Sequence, residues 1–333
     1  MHMKAVLSGL ILLCAHASAA ALDGRTNVQL SPQMSATMSV TLSAPPKSTP
    51  QFALDYAAMP ELSAQSVLVF DQATGQPLLA KNATLQTPIA SITKLMTAML
   101  VMDAAQPLDE YISISPDDRD TLKGTSSRLA IGASYTRGQL LHLALIASDN
   151  RAAHALGRTT TGGLDRFVAN MNRMARALEM HNTVYVEPTG LSSQNRSTAL
   201  DLAKLADYAF QNYPAIRQIT ASGNYNLDRQ RSVLNKNQPQ NNAHYRTVAF
   251  NNTNRLTRMD GWNIGLSKTG FINEAGHCLV MQAQVANRDV IIVILDAMGS
   301  NRRANDAARI KAWLESGSPS RNTETAYTPA SRT

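Results

Sequence analysis

The hydrophobic pattern changes period twice along this chain, and that change limits the folds open to it. Ser66-Val67-Leu68-Val69-Phe70 has strand character, Asp71–Gly75 has turn chemistry, and Gln76–Lys81 suits a returning strand. From Ser91 the apolar residues Ile92, Leu95, Met96, Met99, Leu100 and Met102 recur at helical spacing. Helical patterns continue over Arg137–Ala147, Asn150–Leu156, Leu164–Leu178 and Thr198–Phe210. Strand patterns return over Thr247–Asn251, Trp262–Lys268, Gly276–Val285 and Asp289–Ala297, and a closing helix is expected over about Asn301–Glu315. Hairpin, helical insert, antiparallel strands and closing helix together describe an α+β fold. It should hold an antiparallel sheet with flanking helices, an inserted all-helical lobe at about 91–215, and a site at the seam between them.

The chain ends carry a different chemistry. Lys4, the apolar run Ala5–Ala15 and Ala17-Ser18-Ala19 have the basic, apolar and small-residue regions of a secretory signal peptide, placed at 1–20. The run is too short to span a membrane, which takes about 20 apolar residues, and no later segment does so. Residues 21–55 read as a flexible leader and 317–333 as a disordered tail, with a short helix possible over Gln51–Glu61. Cleavage removes Cys14 and leaves Cys278 alone, so the exported fold must rely on its core rather than on a disulfide. Cys278 lies in an apolar strand-like run and reads as a buried structural residue. Losing Lys4 takes the net charge from +7 to +6, a balance that suits an anionic wall as well as nucleic acid. No zinc, helix-turn-helix or aromatic-basic signature supports nucleic-acid binding, and the seven histidines show no metal-ligand spacing. Neither metal nor cofactor is expected.

Three short motifs could carry chemistry. In Ser91-Ile92-Thr93-Lys94, at the start of the first long helix, the i and i+3 side chains share a face. The amine can reach the hydroxyl, and a partly buried lysine there can lose its proton and act as base. Ser148-Asp149-Asn150 follows one apolar helix and precedes another, so a loop can present a hydroxyl and an amide into a cleft. Lys268-Thr269-Gly270 ends an apolar strand, with a cation, a hydroxyl and a glycine that permits close backbone approach. Each also has an ordinary reading: helix capping for the first two, a charged strand end for the third. S-x-N recurs at Ser193, Ser222 and Ser320 and selects nothing alone. The order carries the information: S-x-x-K, then S-x-N 57 residues later, then K-T-G after another 120.

That ordered set resembles the serine penicillin-binding proteins and β-lactamases. Pro88-Ile89-Ala90, Glu187-Pro188-Thr189-Gly190-Leu191 and the run from Lys268 to Cys278 extend the likeness to the low-molecular-mass D-alanyl-D-alanine peptidases. It covers about Ser66 to Glu315, and with Trp262-Asn263-Ile264 it looks specifically like the penicillin-binding protein 7 type of endopeptidase. The 18 residues after the closing helix are too few for the C-terminal β domain that related carboxypeptidases usually add. The resemblance implies a β-lactamase/transpeptidase-like fold over 56–316 and a periplasmic enzyme, soluble or loosely held at wall or membrane. Peptidoglycan stem peptides would be its substrates and β-lactams its covalent inhibitors.

It also implies roles. Ser91 is the nucleophile and Lys94 its base, Ser148 relays the proton to the leaving amine, and Asn150 orients substrate and Lys94. Lys268 stays charged and, with Thr269, engages the substrate carboxylate. The backbone N–H groups of Ser91 and Phe271, the latter next to Gly270, form the oxyanion hole. Cleavage of D-Ala–diaminopimelate cross-links is the favoured activity, with D-Ala-D-Ala carboxypeptidase as the alternative. A serine β-lactamase would need a deacylating Glu in an E-x-x-L-N loop, and Glu187 sits in a sequence where Leu191 is one place late and Ser192 replaces Asn. A non-catalytic wall-binding or penicillin-sensing module would not need the S-x-x-K base.

Overall fold

The structure is a computed structural model, and it describes residues 59–229 and 246–317. The expected signal, leader and most of the tail lie outside these residues, as does most of the possible helix at Gln51–Glu61; residues 59–61 are not helical. The chain begins with the hairpin β1 (Ser66–Asp71) and β2 (Gln76–Lys81), followed by the two-residue β3 (Thr87–Pro88) and α1 (Thr93–Asp103). The short strands β4 (Tyr111–Ser113) and β5 (Ser134–Thr136) pair with each other before α2 (Arg137–Ile146), α3 (Asn150–Thr159) and α4 (Gly163–Ala177). Next come β6 (Arg196–Ser197), paired with β3, then α5 (Ala199–Asn212), α6 (Pro214–Ala221), and a ribbon of β7 (Asn224–Arg229) and β8 (Arg246–Asn251). The long strands β9 (Asn263–Ile272), β10 (Gly276–Val285) and β11 (Arg288–Ala297) lead into α7 (Ser300–Glu315).

The main sheet has the order β2-β1-β11-β10-β9, antiparallel throughout. The first and last thirds of the chain therefore meet where β1 pairs with β11, and the helical stretch is an insertion into one sheet. Alternation along the strands sorts their side chains into two cores. Leu68, Val280, Ile291, Val293 and Leu295 face the helical elements with Leu202, Leu205 and Ala206 of α5. Val67, Val69, Leu279, Met281, Ile292 and Ile294 face the other way, against Ala304, Ala307, Ile310 and Leu314 of α7. Burial of both faces explains why Val290–Leu295 is a continuous apolar run rather than an alternating one. Cys278 is fully buried in the first core, and burial pushes its thiol up to about 12, so it is an inert packing residue. The Met cluster of α1 fills core as well, with Met96 and Met99 fully buried.

Several expected boundaries shift. Ala286 and Asn287 both take positive φ, 51° and 58°, in the two-residue turn that joins β10 to β11. Asn carries this conformation readily; Ala does so at some cost in strain. The S-x-x-K serine sits in a single 3-10 turn, Ala90–Ile92, rather than in α1 itself, which begins at Thr93. Lys268-Thr269-Gly270 lies inside β9, which runs four residues past Lys268 to Ile272, and does not end a strand. α6 and β7 were not visible in the periodicity.

Candidate active site

The serine's position follows from an uncomfortable piece of backbone. Ala90 has φ +47°, and the 3-10 turn it opens carries Ser91 out of line with α1. Two glycines let other segments close on that turn. Gly190 has φ +84°, and a Cβ there would lie 1.9 Å from the Ala90 carbonyl oxygen. A Cβ on Gly270 would lie 2.9 Å from the Ile89 oxygen and 3.1 Å from the Ser91 nitrogen. Only glycine allows the 187–192 loop and strand β9 to approach this closely from either side.

Lys94 has no exposed surface, and its ammonium makes three hydrogen bonds. It donates to Ser91 Oγ at 2.7 Å, to Asn150 Oδ1 at 2.6 Å and to the Thr189 carbonyl at 2.6 Å. Burial lowers its pKa from 10.5 to about 8, opposed by the negative charges of Glu187, Asp149 and Asp120. Asn150 is fixed at its other end, where its amide donates to Thr125 Oγ1 at 2.9 Å. Thr125 belongs to a loop wrapped around Asp120, whose carboxylate accepts from the N–H groups of Leu122, Lys123 and Thr125. Ser148, with φ +56°, turns its hydroxyl toward β9, where Lys268 Nζ donates to it at 2.9 Å. Asp149 caps α3 by accepting from the Ala152 N–H, so this middle residue of the motif holds the helix start rather than facing the cleft.

Lys268, the lysine of the K-T-G run, is enclosed. It is 1% exposed, and its partners are Ser148 Oγ and its neighbour's carbonyl, Thr269 O at 2.8 Å, with no carboxylate among them. Burial first, then the charges of Lys94 and Arg303, hold its pKa well below the ordinary lysine value. The cause is plain: two lysines and a buried arginine share one small region, so each added proton there is opposed. Thr269 Oγ1 donates to Thr253 Oγ1 at 2.7 Å. Phe271 is exposed and its ring stacks on His277, its cross-strand partner, with centroids 4.3 Å apart.

The structure thus brings Ser91, Lys94, Ser148, Asn150, Lys268, Thr269, Gly270 and Phe271 to one place. Three residues there were missed by motif reading, and Glu187 was noted without the role its carboxylate has in the fold. Glu187 accepts from Thr189 N, Gly190 N and Ser192 N, so its carboxylate organises its own loop. Asn195, fully buried, donates to Thr93 Oγ1 and to Glu187 while accepting from Val186 N, tying that loop to α1. Thr253 and Arg303 are the others, and Arg303 donates to the Cys278 carbonyl. None of these lies in a pattern with fixed spacing to the serine. Gly190 could have been suspected from Thr-Gly-Leu as turn chemistry, though not its partner. Among the described residues, no three His, Cys, Asp or Glu side chains cluster as a metal site, and no helix is long and apolar enough to cross a membrane.

The family model described as D-alanyl-D-alanine carboxypeptidase matches residues 54–299, most of the chain and every residue of this cluster except Arg303. The chain belongs to the D-alanyl-D-alanine carboxypeptidase family. Within that family it is 44% identical over 261 residues to a D-alanyl-D-alanine endopeptidase of Pseudomonas aeruginosa, covering 77% of this chain and 79% of the relative. It is 41% identical to the D-alanyl-D-alanine endopeptidase of Escherichia coli, covering 78% and 80%. A solved structure of the same architecture is the Streptomyces K15 DD-transpeptidase, with TM-score 0.69 and 27% identity over 76% of this chain and 97% of that one. Cefotaxime-bound penicillin-binding protein D2 of Listeria monocytogenes is similar at TM-score 0.65, again with 27% identity over 76% and 97%. The α+β reading and the family resemblance both hold, and the chain is a serine-type peptidase of this family.

Proposed function

We propose that this chain is an exported serine DD-endopeptidase that hydrolyses D-Ala–diaminopimelate cross-links of peptidoglycan through an acyl-enzyme on Ser91. The observation that carries the reading is a fully buried lysine amine, its pKa lowered to about 8, hydrogen-bonded to a serine hydroxyl at 2.7 Å. In its neutral form Lys94 takes the Ser91 proton as Oγ attacks the D-alanyl carbonyl carbon. Asn150 and the Thr189 carbonyl hold the amine in line. The oxyanion forms against the N–H groups of Ser91 and Phe271, and the close seating of Gly270 against the Ser91 nitrogen supports that pairing. Loss of one such donor typically costs about 3–4 kcal/mol in the barrier. The C–N bond breaks as a proton reaches the leaving amine through Ser148, whose hydroxyl already accepts from Lys268. Water then attacks the ester and restores Ser91.

The substrate carboxylate would lie against Thr269 and Lys268, which stand side by side on β9. An anion bound there supplies the negative charge that is missing from Lys268's partners, Ser148 Oγ and the Thr269 carbonyl. β-Lactams, which carry a carboxylate beside a strained amide, would acylate Ser91 in the same way and leave slowly. The Glu187 carboxylate is engaged by its own loop, which argues against its serving as the deacylating base of a β-lactamase.

A D-Ala-D-Ala carboxypeptidase is the second reading. The family's description favours it, as does 29% identity to the Bacillus subtilis carboxypeptidase DacF. The endopeptidase names stand at higher identity. Incubation of the mature protein with purified dimeric and pentapeptide muropeptides, followed by mass spectrometry, separates them. Conversion of dimers to monomers is expected. Loss of D-Ala alone reverses the assignment, and no product at all favours a wall-binding module.

A further inference from the structure

Thr253 stands on the turn after β8, 15 residues before Lys268, in no recognised motif. Its side chain is exposed, its hydroxyl accepts from Thr269 Oγ1 at 2.7 Å, and its backbone N–H donates to the Ile146 carbonyl at 3.0 Å. Ile146 ends α2 two residues before Ser148, so Thr253 is pinned between the S-x-N loop and the K-T-G strand. Its flanks are built to hold it. Asn252 is buried and donates to the Thr220 and Ser222 carbonyls at 3.0 and 2.9 Å. Asn254 is buried too; its N–H donates to Asn252 Oδ1 and its side chain accepts from the Leu256 N–H. The hydroxyl of an exposed residue is thereby held between two buried anchors.

A hydroxyl has a single proton. Thr269 gives its proton to Thr253, so the hydroxyl of this pair whose proton remains for an incoming anion is that of Thr253. We propose that Thr253 is a substrate-binding residue that joins Thr269 and Lys268 in receiving the carboxylate beside the scissile bond. The proposal rests on the acyl-enzyme reading above and extends its carboxylate subsite to a residue of a third segment. When the carboxylate arrives, Thr253 donates to one oxygen and the Thr269 proton is free to turn to the other. Removing either hydroxyl leaves one donor; removing both leaves none.

The test compares acylation of the mature protein by benzylpenicillin and by its methyl ester, read by competition with a fluorescent penicillin. Thr253→Val is expected to lower the second-order acylation rate for the free acid about tenfold, as for a hydrogen bond to a charged group, and to leave the ester within twofold. Thr253→Ser should restore the rate, a rescue that a packing role for the methyl group would not give. Because each threonine partly covers for the other, the Thr253→Val, Thr269→Val double variant should lose more than the product of the single losses. An unchanged free-acid rate in Thr253→Val, or equal losses on acid and ester, overturns the proposal. If the valine variant is unfolded by circular dichroism, Thr253→Ala replaces it with the same expectations. Failure of the acyl-enzyme reading looks different: the unsubstituted protein would not be labelled, or Ser91→Ala would be.

Discussion

At the scale of residues, the decisive quantity is the desolvation of one amine. A lysine in water keeps its proton at neutral pH and cannot act as a base. With no exposed surface and a pKa near 8, Lys94 is deprotonated in a usable fraction of molecules, while three nearby acidic residues limit how far it falls. The acylation rate should therefore rise about tenfold per pH unit below pH 7 and level off above about 8, measured with a β-lactam under pseudo-first-order conditions. A flat profile across pH 6–9 would remove Lys94 as the base. The same shift has a signed effect on stability. The folded pKa is lower than the unfolded one, so the unfolded chain binds the extra proton between about pH 8 and 10.5. The lysine's burial penalty is thus fully present below pH 8 and is relieved as pH rises through that window. The lysine–serine pair was legible in the sequence because the two lie one helical turn apart. Thr253, Asn195 and Arg303 were not, because they reach the site from distant segments with no spacing rule to expose them.

At the scale of elements, the site is a set of close backbone approaches. The 187–192 loop and β9 both press on the 3-10 turn that carries Ser91, and each does so at a glycine. Gly190→Ala combines a left-handed conformation with a Cβ that would overlap the Ala90 carbonyl. It is expected to cost ~2–4 kcal/mol of stability, from left-handed strain and overpacking together. Acylation should also fall in the folded fraction, because the Thr189 carbonyl that holds Lys94 is the adjacent group. Chemical denaturation with labelling of the refolded protein checks both, and unchanged stability would show that the loop can retreat at little cost. Element types were readable where one face or both are apolar, as in β1, β10 and β11. In the sequence the K-T-G run has the character of a strand end, because a lysine inside a strand argues against burial. The fold instead buries Lys268 at 1% exposure and continues the strand to Ile272. The start of α1 was misplaced for a related reason: helical periodicity does not distinguish a 3-10 turn from the helix it precedes.

At the scale of the whole molecule, one sheet is closed by the two ends of the described chain, and the helical insertion supplies the other wall of the cleft. Ser91 and Lys94 come from the start of that insertion, Ser148 and Asn150 from its middle, and Lys268 and Thr269 from β9 at the sheet's edge. No segment holds a working set of groups, so the chemistry depends on the folded whole. The overall plan was visible in the two changes of period, because the sheet's buried faces and the helical stripes each leave their own repeat. The electrostatics of the seam were not, since they arise from Lys94, Lys268 and Arg303 meeting across 209 residues of sequence.

In the proposed reaction the Ser91 hydroxyl, activated by Lys94, forms an ester with the substrate acyl group. Intact-protein mass spectrometry after brief exposure to benzylpenicillin, with peptide mapping of the adduct, tests it most directly. One penicilloyl adduct is expected, on the peptide containing Ser91, and none in a folded Ser91→Ala variant. An adduct on another residue, or one that survives in Ser91→Ala, would contradict it.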